Sequence, residues 1–365
     1  MVIVAYAYGT IDFLTENVNQ MKKLLYIIPG LLLLLSSCSN KDIEFNDYDF
    51  QAVYFAYQYP VRTITFGEDF VDTSMDNEGK FQIMATLGGV YSNKKDVTLS
   101  VAVDTSLTTG FQFSGGDDIL PLPETYYELA GYEIVIPKGK IAGGVEVQLT
   151  EAFFNDPLAI DVNYVLPLVI TDVQNADSIL VGRANDFVPS PRRLAVDDWD
   201  IQPKDYVLYA LRYVNEWHGT YLRRGEDNII MKDGFSEPDT LLSRSNQYVE
   251  DDQVVSLSTV SRNSVVFPFS LSGDKIYTTN AELILTFDEE GGCSISTSDT
   301  GVSVSGSGKY VKLGEKKSFG NKDRDALYLD YVVETDAMTV SVKDTLVFRN
   351  KGVQMELFSV TELEE

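Results

Sequence analysis

The sequence predicts an all-β protein: an N-terminal immunoglobulin-like sandwich followed by a C-terminal antiparallel barrel or jelly-roll-like domain. Three observations predict it. Apolar and polar residues alternate at period two through most of the chain beyond residue 47. Clusters such as "LGGVYSN", "SGGDD" and "PKGKIAGG" punctuate those runs with turns. No repeat of about 33 to 45 residues recurs, so solenoid and propeller architectures are excluded.

The chain opens on residues that are not expected to fold. Residues 1–20 carry Asp12 and Glu16, fit no part of an export signal, and read as an over-called start ahead of Met21. Lys22 and Lys23 then precede a 12-residue apolar run, Leu24 to Leu35. As a helix that run rises about 18 Å against a hydrocarbon core of about 30 Å, too short to span. Charged, apolar, then small residues is the order of a secretory signal. Leu35-Ser36-Ser37-Cys38 resembles the bacterial lipobox, in which the cysteine is lipidated and becomes the mature N-terminus. Residues 1–37 are therefore expected to be removed, Cys38 to anchor the chain in a membrane, and residues 38–46 to form a tether. Each buried CH₂ of the acyl chains contributes about 0.8 kcal/mol, so several chains on one residue hold firmly.

Residues 47–175 read as the sandwich. Val97, Leu99, Val101 and Val103 alternate with polar neighbours, as do Val145, Val147 and Leu149, which marks half-buried strands. Tyr164 to Ile170 is apolar throughout and suits a strand covered on both faces. Between 176 and 203 the pattern lapses into "RANDFVPSPRRLAVDDWDIQP", read as an interdomain linker with Trp199 packed between the domains. Residues 204–365 read as the second domain. Tyr206 to Val214 fits either helix or strand by spacing, and its β-branched and aromatic content favours strand. "VVF", "ELILTF", "SISTSDTGVSVSGSGKYV", "DALYLDYVVE" and "DTLVFRNKG" supply about eight short strands.

Charge narrows the partners. A formal net charge of −26 repels phosphate backbones, which excludes nucleic acid, and it disfavours polyanionic glycans unless a local basic patch intervenes. With Cys38 lipidated, Cys293 is left without a partner for a disulfide and is expected as a small buried apolar residue.

Catalytic chemistry finds little support. The one histidine, His218, leaves no room for HExxH zinc sites or multi-histidine cages, and is read as structural or superficial. Asp197/Asp198/Asp200 and Asp288/Glu289/Glu290 are the best local carboxylate candidates, and both sit in loop-like charge runs. Asp72, Asp76 and Glu78 could hold calcium, but the glycine is displaced from the usual loop and a simple turn is the plainer reading. No catalytic residue, metal or cofactor is expected. What remains is aromatic: 21 Tyr and 19 Phe, whose flat rings suit the C–H-rich faces of sugars. Tyr57 and Tyr59, expected on one strand face, and Trp217, Tyr221, Arg223 and Arg224 in "EWHGTYLRRG" are the candidate ligand-binding residues; the alternative is that they close the core.

"VYFAYQYPVRTI" (53–64), "EIVIPKGKIAGGVEVQL" (133–149) and "YVLPLVIT" (164–171) resemble the N-terminal domain of exported lipoproteins of gut Bacteroidota, which also precedes family-18 endoglycosidase barrels. "DDWDIQPKDYVLYALRYVNEWHGTYLRRG" (197–225) is similar to the start of the β-rich domain of the non-enzymatic members, and Ser39 to Asp42 loosely to their short acidic export signal. The resemblance implies a non-catalytic lipoprotein of the outer membrane, facing outward, that binds oligo- or polysaccharide beside an importer complex. It carries over no catalytic residues. A glycoside hydrolase with an unrecognised carboxylate pair and a structural or adhesive lipoprotein are the alternatives.

Overall fold

Strand-forming sequence builds two β modules. The computed structural model describes residues 47–273 and 276–363. Cys38, the apolar run before it and the tether therefore lie outside the described residues.

The sandwich is made of two sheets. In the first, Ala52–Tyr54, Lys80–Gly88, Ala142–Leu149 and Tyr127–Leu129 lie side by side, with Ser178–Ile179 paired to Ala52–Val53 at the edge. In the second, the order is Glu356–Leu357, Pro60–Thr65, Tyr206–Val214, Tyr164–Gln174, Val97–Val103 and Glu133–Ile136, and Leu120–Pro121 pairs beside Tyr164–Val165. The predicted alternation is borne out: Val97, Leu99, Val145, Val147 and Leu149 all point into the core between the sheets. Each such side chain, taken fully from water, contributes about 1.5–3 kcal/mol.

Tyr164 to Ile170 is buried on both faces, as its unbroken apolar run requires. Leu166, Leu168 and Ile170 enter the inter-sheet core. Val165 and Val169 enter a second core on the sheet's other side, with Leu107, Phe111, Phe113, Leu194 and Ala195.

The expected domain boundary needs correction. Tyr206–Val214 is a strand, but of the sandwich, pairing antiparallel with Tyr164–Val169 and parallel with Val61–Thr65. The stretch 176–203 is not a free linker. Leu194 and Ala195 are buried in the second core, and Arg193 clamps buried Asp205 through Nη2 at 2.9 Å. Trp199 lies in a two-stranded ribbon with Arg183–Ala184, its Nε1 donating to the Arg192 carbonyl, rather than between the domains. After the barrel the chain returns to the sandwich, where Val360–Glu362 pairs with Phe111–Phe113.

The second module is a closed barrel of eight antiparallel strands, which settles barrel over jelly roll. Gly219–Met231, Gln253–Ser261, Ser264–Gly273, Ile276–Phe287, Gly292–Ser296, Val302–Glu315, Arg324–Thr335 and Met338–Asn350 follow one another around the wall, and the last pairs with the first from Thr220↔Asn350 to Met231↔Met338. Thr240–Arg244 adds a ninth strand against Gly225–Ile229. Eight strands leave an interior that side chains can fill. Tyr221, Phe267, Phe269, Leu283, Leu285, Tyr331 and Val342 fill it. Residues from Tyr48 onward form one compact unit, and among the described residues no helix is long and apolar enough to cross a membrane.

Candidate functional site

The two modules meet at Asn215–Gly219. Buried Asn215 donates its side-chain amide to the Ser261 and Ser264 carbonyls, both at 2.9 Å, and accepts from the Trp217 and His218 amides. Lys351, at the barrel's last turn, is 2% exposed and donates Nζ to the Asn215 and Glu216 carbonyls. Burial pushes this ammonium down to about 8, against the pull of Glu216 and Asp69.

Beside this junction opens a cleft of about 150 Å³. From the sandwich, the loop after Pro60–Thr65 brings Glu68, Asp69 and Phe70, the last 73% exposed. From the barrel come Leu313, Asp323, Arg324, Asp325 and Phe348. Strain concentrates in this wall. The register of the strand Val302–Glu315 slips between Val311 and Glu315, and Leu313 takes φ +51°, with Lys317 at +48° and Asn321 at +54°. Left-handed backbone costs a non-glycine residue about 1–3 kcal/mol, and such bulges re-aim side chains beside functional sites. Here the bulge turns Leu313 outward.

Two carboxylates hold the strained wall. Asp325 accepts the Leu313 amide and the Tyr310 hydroxyl, each at 2.7 Å. Asp323 accepts the Lys317 amide at 3.0 Å and pairs with Lys316 at 3.1 Å, which keeps its carboxyl below the usual range. The Arg324 guanidinium stacks 3.9 Å from the Phe319 ring centre, while its Nε is buried without a protein partner. Larger hollows exist, about 520 Å³ along Thr286, Ser294 and Ser307 and about 330 Å³ beside Phe358, but neither presents an exposed aromatic ring. The junction cleft alone among these joins an exposed ring, an aliphatic wall and convergent carboxylates.

The sequence-chosen residues are scattered. Tyr221 and Arg223, 0% and 2% exposed, belong to the filled barrel interior and cannot meet a ligand without opening it. Tyr221 donates its hydroxyl to the Trp217 carbonyl at 2.8 Å. Trp217 stacks on Phe287 with ring centres 4.1 Å apart and planes 4° from parallel. Arg224 is tied to Asp252 at 2.6 Å. Tyr57 and Tyr59 lie in the irregular stretch between two strands, not on one strand face. Tyr57 is exposed, whereas Tyr59 is packed and bonded to the Tyr206 hydroxyl at 2.6 Å. The cleft residues went unnoticed in the sequence. Their signals were the acid-and-aromatic "GEDF" and the turn-rich "LGEKKSFGNKDRD", two short loops with nothing local to join them.

The weighed chemical candidates take structural places. Asp76 is buried against Arg62 and accepts the Thr65 amide at 2.9 Å, at the short helix Ser74–Asn77; burial pushes its carboxyl up despite Arg62. Glu78 turns instead to Lys80. Asp288 accepts the Glu290 and Gly292 amides and so builds its turn. Asp198 accepts the Arg192 amide, and Asp200 pairs with Arg183. Cys293 is buried on the barrel's inner face, where burial pushes its thiol up to about 12. Among the described residues no three His, Cys, Asp or Glu side chains converge to hold a metal.

Comparison with known proteins follows the same division. Residues 216–352 match the model of the Domain of unknown function (DUF5627), and residues 48–177 match a model of an N-terminal domain. No curated protein matches. Among solved structures, a Bacteroides ovatus protein of unknown function is 42% identical, with a TM-score of 0.79 over 87% of this chain and 100% of that one. A multidomain protein including DUF1735 from the same organism is 12% identical over 84% and 99% of the two chains, with a TM-score of 0.38. An auxiliary nutrient binding protein from Bacteroides thetaiotaomicron is 16% identical over 80% and 92%, with a TM-score of 0.34. Structural agreement that low carries no argument about this chain. The identity and coverage of the first are decisive: the chain belongs to the family of that Bacteroides ovatus protein.

Proposed function

We propose that this protein is a non-catalytic cell-surface lipoprotein that binds saccharide for a polysaccharide-utilisation system. The observation that carries the reading is the junction cleft, where the exposed Phe70 ring and Leu313 stand among Glu68, Asp69, Asp323 and Asp325. A pyranose has an apolar C–H face for the ring and hydroxyl donors for the carboxylates. The lipobox-like Leu35 to Cys38 supports an outer-membrane anchor facing outward, from which many displayed copies add avidity and pass glycan to an importer.

The four carboxylates also favour a second reading, glycoside hydrolysis. Against it, Asp323 and Asp325 already serve the backbone of their own loop, and Asp323 is held below the usual range rather than raised as a general acid needs. Affinity electrophoresis in glycan-containing gels tests binding, and Phe70→Ala should weaken retardation about tenfold while leaving the fold intact, since the residue is largely in water. Release of reducing sugar by the wild-type protein from a glycan that retards it would favour the hydrolase. Retardation by no glycan would leave a structural or adhesive role.

A further inference from the structure

We infer that the junction cleft takes a neutral pyranose and refuses uronate- and sulfate-bearing saccharides, with Glu68 and Asp69 as the residues that set this choice; the inference rests on the saccharide-binding reading above. Its basis is how charge is spent around the cavity. On the barrel side Lys316 pairs with Asp323 and Lys312 with Glu216 at 2.9 Å, and Arg324, its guanidinium stacked on the Phe319 ring, is the one cation among the residues that line the cleft. The Asp323 and Asp325 oxygens are committed as well, to the amides of the bulged strand and its loop and to the Tyr310 hydroxyl. On the sandwich side, Asp69 Oδ1 accepts the Phe70 amide at 2.8 Å, and Glu68 is attracted by the Lys312 ammonium but accepts no hydrogen bond among the described residues. Glu68 and the remaining Asp69 oxygen are thus the acceptors left to a ligand that stacks on Phe70. Their carboxyl oxygens suit hydroxyl donors. A ligand carboxylate or sulfate there would meet like charge from both walls, four carboxylates against the single Arg324 guanidinium. The volume of about 150 Å³ suits a single ring.

The experiment is affinity electrophoresis at an ionic strength of about 10 mM, where the Debye length is about 30 Å and charge effects are largest. The gels contain neutral polymers (galactomannan, mixed-linkage β-glucan, α-mannan) or anionic ones (polygalacturonate, chondroitin sulfate). We expect the wild type to be retarded by a neutral polymer and by neither anionic one, Phe70→Ala to weaken that retardation about tenfold, and the pair Glu68→Lys/Asp69→Lys to gain retardation in the anionic gels. Circular dichroism confirms that each variant is folded. Retardation of the wild type by an anionic polymer, lost in Phe70→Ala, would overturn the charge rule while leaving saccharide binding standing. So would a folded charge-reversed pair that gains nothing. Retardation by a neutral polymer that Phe70→Ala leaves unchanged would move the site elsewhere, and a wild type retarded by no glycan would sink the saccharide reading itself.

Discussion

Arg223 Nη2 lies 2.9 Å from Asp344 Oδ2 inside the barrel, both side chains sealed from water. The pair anchors a balanced network. Tyr331 donates its hydroxyl to Asp344 at 2.8 Å, Arg244 Nη1 reaches the other Asp344 oxygen at 2.7 Å, and Arg244 grips Asp227 through Nε and Nη2. Arg223 also sits between the Phe267 and Phe269 rings. Two arginines face two aspartates, so no net charge is buried. Removing one member alone strands its partner, and Asp344→Ala should destabilise by about 3–5 kcal/mol in guanidinium unfolding. Arg223→Met with Asp344→Leu should cost much less than the two single changes added together. Equal and additive costs would show that the pair is not coupled.

Beside that network the closing seam runs tight at Gly225, which lies opposite Asp344. It takes φ +151°, and a Cβ there would sit 1.9 Å from the Lys343 carbonyl oxygen. Gly225→Ala is therefore expected to cost more than about 2 kcal/mol, because the obstacle is backbone. Gly131, around which a Cβ meets nothing within 4 Å, is the control: Gly131→Ala should stay within about 0.5 kcal/mol. Thermal melts of the two variants check the contrast.

His218 accepts the Thr259 amide at Nδ1, 3.2 Å away, and burial, then Lys351 and Arg212, push it down to about 4 from 6.5. Between those values the unfolded chain takes up a proton that the native state refuses. Stability from this group is thus full above pH 6.5 and is lost as the pH falls toward 4. From pH 7 to pH 5 the wild type should lose about 2 kcal/mol more than His218→Asn, measured by denaturant unfolding at each pH. Parallel losses in the two proteins would remove His218 from the account.

The C-terminal segment belongs to the sandwich in space. Phe358 packs edge-on against Tyr59 and Phe113, with ring centres 5.4 and 5.2 Å away. Ending the chain after Gly352 should strip the cover from the second core. Amide-exchange protection at Phe111–Phe113 is expected to fall, while barrel amides such as those of Leu283 and Val342 keep theirs. Loss of protection through the barrel as well would mean that the segment stabilises both modules together.

Much of the candidate site was hidden in the sequence for a physical reason. Trp217, Tyr221, Arg223 and Arg224 stood out as a dense aromatic and cationic run, yet alternation along one strand sends Tyr221 and Arg223 into the barrel. Phe70 and Leu313 are unremarkable locally and 243 positions apart, and they line one cleft because the two modules meet there.

By itself the sequence determined the all-β class, the doubly buried strand Tyr164–Ile170 and the inward thiol of Cys293. Each follows from the period-two geometry of an extended backbone or from the cost of wetting apolar surface, and both act locally. Tertiary structure alone decided that Tyr206–Val214 and Val360–Glu362 serve the sandwich, that the barrel closes from Thr220 to Met231, and that the barrel's charges neutralise one another. Those choices depend on pairings between strands far apart in the chain. Local alternation says which face of a strand is buried, and leaves open which neighbour buries it.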